Sequence, residues 1–346
     1  MPTPLRIVGN VPLHLQNPDG MQRLQIHYAS FNGSMGQNHL SAATIAGLLF
    51  SRQTLHAVVV FQDERTLLIL CLLKRLLPFL RWRLYAIDYI SLHPESRKAK
   101  VLARVKKWLL SKTALFVLHV KHSAGYQKYL GIGSDRIAYV PYIAKQWSKV
   151  LQTEDHSEQY ILSCGRSRRD YRTFIQAVRD LPYPVKILLP AQGALAYHRS
   201  EMIDELSRLP PNVEILQDDG SYESWLRIMA CCRLLVVPIV ASSMYAEGVG
   251  TYLAGMALRK CVVITRSEAV NGILEDGAAV LVKPGDPNDM RLALIHAWEN
   301  DAYRERIAAT GYEYARGLGT ESNLQERMFA AIRSDLVKNI LARQAG

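Results

Sequence analysis

Short apolar runs rich in Val, Ile and Leu recur along this chain, and longer segments of helical period lie between them. In the first part the runs are RLQIHYAS (23–30), HAVVVF (56–61), RLYAIDYI (83–90), ALFVLHV (114–120) and DRIAYVPYIA (135–144). In the second they are YILSCG (160–165), VKILLP (185–190), NVEILQ (212–217), RLLVVPI (233–239), KCVVIT (260–265) and AAVLVKP (278–284). Helix candidates at 39–50, 65–77, 96–111, 171–180, 200–208, 222–231, 250–259 and 287–299 separate them. Continuous apolar strands alternating with helices build parallel sheets covered on both faces. The chain is therefore expected to be α/β.

A chain of 346 residues exceeds what one core usually supports. The expectation is two doubly wound, Rossmann-like domains with a cleft between them, where ligands commonly bind. The polar, acidic stretch LQTEDHSEQ (150–158) marks the boundary. It predicts a first domain over 1–150 and a second over 151–322. The long amphipathic stretch 323–346 is expected to pack back on the first domain.

Charge is distributed unevenly. Residues 1–150 hold 20 Lys and Arg against 6 Asp and Glu, whereas residues 151–346 hold 22 against 25. All the excess positive charge lies in the first part, which is expected to face something anionic: a membrane surface, a lipid diphosphate or a nucleic acid. No recognised nucleic-acid module accompanies it, so nucleic acid is not expected as a partner. No run of eighteen uncharged apolar residues occurs, and MPTPLRIVGNV lacks a secretory pattern. The five cysteines, Cys71, Cys164, Cys231, Cys232 and Cys261, show no C-x-x-C spacing and read as reduced core residues of a cytoplasmic protein.

Two segments carry candidate chemistry. SCGRSRRDYRTFIQAV (163–178) runs from strand to loop to helix, with Arg166, Arg168 and Arg169 in the loop. A diphosphate there gains from helix N–H groups and from bidentate arginines, although a solvated basic loop has the same composition. EGVGTYLAGMALRKCVV (247–263) places a carboxylate, Glu247, before two glycines and a helix. Gly248 and Gly250 let the backbone approach a ligand, and Thr251 with the amides around Val249 can hold phosphate oxygens. A simple helix-initiating turn reads the same way.

Taken in order, GRSRRDYRTFIQAV, NVEILQDDGSYESWLRIMACCRLLVVPIV, EGVGTYLAGMALRKCVVIT and VNGILEDGAAVLVKPGDPNDM resemble the donor-binding half of the family-4 retaining glycosyltransferases of the GT-B fold (glycosyl transferases group 1). The resemblance implies a basic pair at the donor diphosphate, Arg166 and Arg169, and a donor-orienting carboxylate, Glu247. It also implies the later turns Asp276-Gly277 and Pro284-Gly285-Asp286. In the first domain, FVLHVKHSAGYQKYLGIGSDRIAYVPYIA (116–144) is similar to the family's linker-proximal segment, with Tyr142 where an asparagine is usual. His93 corresponds to the histidine that contacts the reacting sugar. Gly33 and Gly36 correspond to the glycine-rich first loop, which approaches donor or acceptor.

The sequence departs from this pattern at one informative place. The family's E-x7-E motif has a second glutamate, the usual ribose contact, but Ala254 stands there by the Met256-Ala257 alignment and Gly255 by count from Glu247. The later P-E pair is Asn271-Gly272. His119 and His122 lie in or beside a strand with no converging ligands, and no D-x-D occurs, so neither a metal nor any cofactor beyond the donor is expected.

The first domain adds a surface feature. SRKAKVLARVKKWLLS (96–111) fits a helix with Val101, Leu102, Val105, Trp108 and Leu109 on one side and Lys100, Arg104 and Lys107 on another. Upstream, LLKRLLPFLRWRL (72–84) interleaves Lys74, Arg75, Arg81 and Arg83 with apolar residues. Either segment can be a core-packed helix with a solvated face or an interfacial one attracted to anionic lipid.

These readings combine into one expectation. The chain is a hexosyltransferase-type enzyme moving a sugar from a nucleotide-sugar, most simply a UDP-sugar, to a glycan or lipid-linked acceptor, with retention and without metal. It would act in the cytoplasm as a peripheral protein on the inner membrane face. Two alternatives stand beside it: a non-catalytic, degenerate GT-B scaffold binding a nucleotide-sugar or a partner protein, and a sugar-nucleotide epimerase.

Overall fold

The computed structural model describes residues 5–10, 26–30, 47–48, 55–154, 158–165, 167–189, 209–217, 219–240, 244–274 and 277–344. The chain divides into two compact units, one formed by Met1–Val140 with Gln325–Gly346 and the other by Pro141–Leu324.

The first unit contains a six-stranded sheet of order β2-β1-β3-β4-β5-β6, parallel throughout. Its strands are β1 (Leu5–Gly9), β2 (Ile26–Ser30), β3 (Ala57–Phe61), β4 (Arg83–Ile87), β5 (Leu115–Leu118) and β6 (Ile137–Tyr139). Described helices are α1 (Glu64–Leu76), α2 (Arg97–Leu110) and α3 (Ala124–Leu130). Ala57–Val60, Leu84–Ile87 and Leu115–Leu118 are buried along their whole length, as expected for central strands sandwiched between helices. The strand order reverses between β1 and β3, and Asn10 clasps that point. Its side-chain amide donates to Phe61 O at 3.0 Å, and its carbonyl accepts from Phe61 N at 2.7 Å.

The second unit repeats the theme with β7 (Ile161–Cys164), β8 (Val185–Leu189), β9 (Val213–Gln217), β10 (Leu234–Val237), β11 (Cys261–Thr265) and β12 (Val280–Val282). Their order is β12-β11-β10-β7-β8-β9, again all parallel. Counted from β7, this is the 3-2-1-4-5-6 order of a dinucleotide-type sheet, with its switch point between β7 and β10. Described helices are α4 (Trp147–Gln152), α5 (Tyr171–Val178), α6 (Tyr222–Cys231), α7 (Val249–Ala257), α8 (Pro287–Glu299) and α9 (Asp301–Gly317). The last helix, α10 (Glu321–Gln344), belongs to the first unit from Gln325 onward. There Asp335 receives Arg83 Nε and Nη2 at 2.9 and 3.0 Å and the Tyr85 hydroxyl at 2.8 Å. Met328, Phe329, Ile332 and Leu336 form its buried stripe.

The expected strands appear at their places, and further elements appear in addition, among them β1 and the helices α3, α4 and α9. The five-residue β1 lies close to the N-terminus, where LRIVG is too short to show a period. Helix α9 carries Gly311 and Gly317, which weaken its helical signal. A Cβ on Gly311 would stand 2.8 Å from Ala278 O, so the glycine lets α9 press onto the loop ahead of β12. The expected helices at 39–50 and 200–208 lie outside the described residues, apart from two residues of the first. All five cysteines are free and buried; burial pushes the Cys71 thiol up to about 11 and the Cys261 thiol up to about 12.

Candidate functional site

The loops leaving β7 and β10 meet at the switch point of the second sheet. Gly165 follows β7 at φ +114°, and Arg168 adopts φ +48°, a region costing an L residue roughly 1–2 kcal/mol. The turn is held from the β10 side. Val240 N donates to Arg168 O at 3.2 Å, Asp170 N donates to Pro238 O at 3.1 Å, and Arg169 forms an antiparallel bridge with Ile239. Asp170 then caps α5, accepting from Thr173 N at 3.0 Å and Thr173 Oγ1 at 2.7 Å.

Arg169 turns inward. It is 1% exposed, and its guanidinium donates to Cys164 O at 2.9 Å, Ser167 O at 2.7 Å and Thr251 Oγ1 at 2.9 Å. It is thus a strut between the end of β7 and the first turn of α7. Its fork fits closely: a Cβ at Gly165 would fall 2.0 Å from Nη2, so no other residue fits Gly165 without displacing it. Thr251 is also buried, and its hydroxyl is engaged by that strut.

Glu247 is 1% exposed, and its Oε1 lies 3.3 Å from Nε of Arg168. The next residue, Gly248, sits at φ +72°. A Cβ there would approach Val237 Cγ1 to 2.9 Å and Ile239 Cδ1 to 3.1 Å, so Gly248 is required both by its backbone and by its neighbours. Gly248 is the N-cap of α7 and provides no side-chain acceptor for the first N–H groups. Val249 is half-buried, and Gly250 is exposed with open space where a side chain would be. This gives a helix N-terminus with available donors beside a cation and a carboxylate, the arrangement that suits a phosphate group attached to a hydroxyl-bearing ligand.

The structure leaves no room for a second acid at 254 or 255. Thr251 through Ala257 are all buried, and α7 lies directly on the sheet. A Cβ on Gly255 would stand 2.3 Å from Leu235 Cδ2, and Ala254 is 1% exposed within the same apolar cluster. A carboxylate at either position would be desolvated with no room for a partner, costing several kcal/mol.

The structure brings Arg168, Arg169, Glu247, Gly248, Val249, Gly250 and Thr251 together in the second unit. Arg168 received no role from sequence. Its left-handed backbone, which turns it toward Glu247, leaves no mark in a run of basic residues. Arg166, Gly33, Gly36 and Asp276 lie outside the described residues. Pro284-Gly285-Asp286 is a cap: Gly285 takes φ +66°, and Asp286 accepts from Asn288 N at 3.1 Å and Asp289 N at 3.0 Å to start α8. His93 belongs to the first unit, half-buried after β4, with its ring edge-on to Tyr129 at 5.4 Å. Burial holds its imidazole below the usual value, opposed by Glu95 and reinforced by Lys128. His119 is buried with Nδ1 2.8 Å from Val140 O. Among the described residues, no three His, Cys, Asp or Glu side chains converge as metal ligands.

Solved structures superpose on this chain, glycosyltransferases among them. Anabaena HepE in complex with UDP matches with a TM-score of 0.65 at 13% identity, covering 96% of this chain and 100% of the other. A glycosyltransferase from Rickettsia africae matches at 0.64 and 12%, covering 97% and 99%. Sucrose-phosphate synthase from Thermosynechococcus elongatus matches at 0.64 and 14%, covering 84% and 76%. The fold is GT-B. At such identities the likeness concerns the fold alone; no protein-family profile and no curated sequence matches the chain.

Proposed function

We propose that this GT-B protein is a glycosyltransferase of the hexosyltransferase type. It takes a sugar from a nucleotide-sugar, most simply a UDP-sugar, and passes it to a glycan or lipid-linked acceptor at a membrane surface, as in polysaccharide synthesis. The observation that carries the reading is the cluster at the switch point: a buried carboxylate, a cation turned toward it, and an uncapped helix N-terminus reached through Gly248. Support also comes from the solved GT-B structures of similar fold, one of which holds UDP and another UDP-glucose.

In this reading the donor diphosphate lies against the amides at Gly248–Gly250. Charge building on the departing nucleotide is balanced by Arg168 and Arg166 at the loop and by Arg169 beneath it. Arg169 acts chiefly by holding the α7 N-terminus in place, since each of its three guanidinium nitrogens already donates, to Cys164, Ser167 and Thr251. Glu247 accepts hydrogen bonds from the donor sugar, and His93 is the candidate contact to the reacting sugar. Neutral imidazole suits that task, and the burial of His93 favours it. Transfer proceeds with retention and without a metal ion.

A second reading, a degenerate scaffold that binds a nucleotide-sugar without turning it over, is favoured by Ala254 and Gly255 in the apolar core where a second acid would stand. One experiment separates the two. UDP binding is measured by calorimetry, and nucleotide release is followed with a donor panel and a membrane lipid extract, against Glu247→Gln. Release that the variant loses while retaining UDP affinity supports the transferase. Tight UDP binding with no release across the panel supports the scaffold, and donor conversion without acceptor indicates an epimerase. Arg169→Ala is unsuitable as the control, because it removes a buried strut.

A further inference from the structure

A helix on the surface of a globular domain normally turns its apolar face inward. Helix α2 does the reverse. Its buried contacts are Ala103 and Leu110 with half-buried Ala99 and Lys106, and Lys106 reaches inward to Glu64 at 2.8 Å. The apolar arc named from sequence faces outward instead: Val101 is 56% exposed, Leu102 52%, Val105 47% and Trp108 53%. Only Leu109, at its edge, is buried.

The patch extends onto the neighbouring helix. Leu72 and Leu76 of α1 and Phe79 beyond it are exposed. Arg75 joins the two helices: its guanidinium lies 3.9 Å from the Trp108 ring centroid, and it donates to Trp108 O and, at 2.7 Å, to Ser111 Oγ. Trp108 is thereby held at the surface rather than folded down. Arg97, Lys98, Lys100, Arg104 and Lys107 are all exposed along α2, Arg81 is exposed nearby, and the helix contains no acid. Glu95, just ahead of it, is the nearest exposed carboxylate in sequence.

We propose that the outward face of α2, with the end of α1 and Phe79, docks the first unit onto an anionic lipid bilayer. The helix would lie in the plane of the headgroups with Trp108, Val105 and Val101 in the acyl boundary. Two properties select lipid over other occupants. An apolar stripe ringed by one sign of charge matches a surface that offers both acyl chains and negative headgroups. A second copy of this chain would set the same basic rows against each other, which opposes self-association. No described helix is long and apolar enough to cross a membrane, so the contact is a surface one. The proposal specifies where the membrane contact in the function above resides, but it does not depend on donor chemistry.

The test uses the full chain with vesicles of phosphatidylcholine alone or mixed with phosphatidylglycerol. Co-sedimentation is expected with the mixed vesicles, weakly or not at all with phosphatidylcholine, and reversed by high salt. Of five tryptophans, Trp108 is the only one exposed among the described residues, so mixed vesicles should shift the emission to the blue. Lys100→Glu with Arg104→Glu should weaken binding by roughly 30-fold or more, taking about 1 kcal/mol for each basic residue removed. Val101→Ser with Val105→Ser, which leaves the Arg75–Trp108 stack intact, should abolish the shift while circular dichroism stays unchanged. Absence of vesicle binding, equal binding by both variants, or a concentration-dependent dimer dissolved by the serine variant would overturn the proposal. UDP binding by the same protein without vesicles keeps this outcome separate from that of the donor reading.

Discussion

The two sheets share strand number and parallel direction, though their strand orders differ, and their exceptional residues lie in different places. In the second unit they converge inside, at the switch point, where Arg169, Glu247 and Thr251 are buried and two glycines occupy positive φ. In the first unit they lie outside, on a helix that exposes Val101, Leu102, Val105 and Trp108 among lysines and arginines. One architecture thus supports two kinds of recognition. A switch point concentrates helix dipoles and backbone donors onto a small ligand, whereas an outer helix can offer only area and net charge.

The contrast is open to direct attack. The largest effect is expected for Arg169→Ala, which leaves Cys164 O, Ser167 O and Thr251 Oγ1 without this donor. Urea denaturation should show a loss of about 3–5 kcal/mol, and Arg169→Lys should rescue little because one ammonium cannot span the fork. A variant that unfolds like wild type would remove the strut from the account. Gly248→Val comes next, combining a left-handed backbone with contact to Val237 and Ile239; a cost of about 2–4 kcal/mol and weakened UDP binding are expected. In the first unit, Asp335→Ala removes the acceptor of Arg83 and Tyr85. A loss of about 1–2 kcal/mol is expected for this partly exposed network, with faster hydrogen exchange in α10 and little change in UDP affinity.

The thiols probe both interiors together. Because burial raises Cys71 and Cys261 above their unfolded value of 9.0, the folded state binds those protons more tightly. Their contribution to stability is complete below pH 9 and is lost as pH rises through about 11 and about 12. A thiol reagent at pH 8 should find none of the five until denaturant is added; rapid labelling of native protein would contradict the buried arrangement. The smallest effect is Gly250→Ala. Open space and a helical backbone there predict no loss, or a gain up to about 1 kcal/mol, so any change in UDP binding would report on the ligand's approach alone.

Much of the fold was legible because its signal is local. Runs such as HAVVVF and RLLVVPI are long enough and apolar enough to identify central parallel strands by themselves. LRIVG was not, being short, and neither was α9, whose Gly311 serves a packing need visible only against Ala278 and Met256. In the candidate site, residue types were readable but directions were not. Glu247 and the arginines declare charge in the sequence, while the choice of Arg168 for the carboxylate and Arg169 for the interior depends on a single positive φ.

The sequence by itself determined an α/β chain with parallel sheets, a basic first part, and a carboxylate-glycine turn ahead of a helix. Periodicity and composition report these because each depends on neighbours a few residues apart. Tertiary structure alone decided that β7 and β10 are adjacent, so that loops about eighty residues apart in sequence form one site. It also decided that α7 packs too closely on Leu235 to admit a second acid, and that the apolar arc of α2 faces outward. Those outcomes depend on which surfaces meet, and a helix pattern records that it has an apolar face without recording what that face will cover.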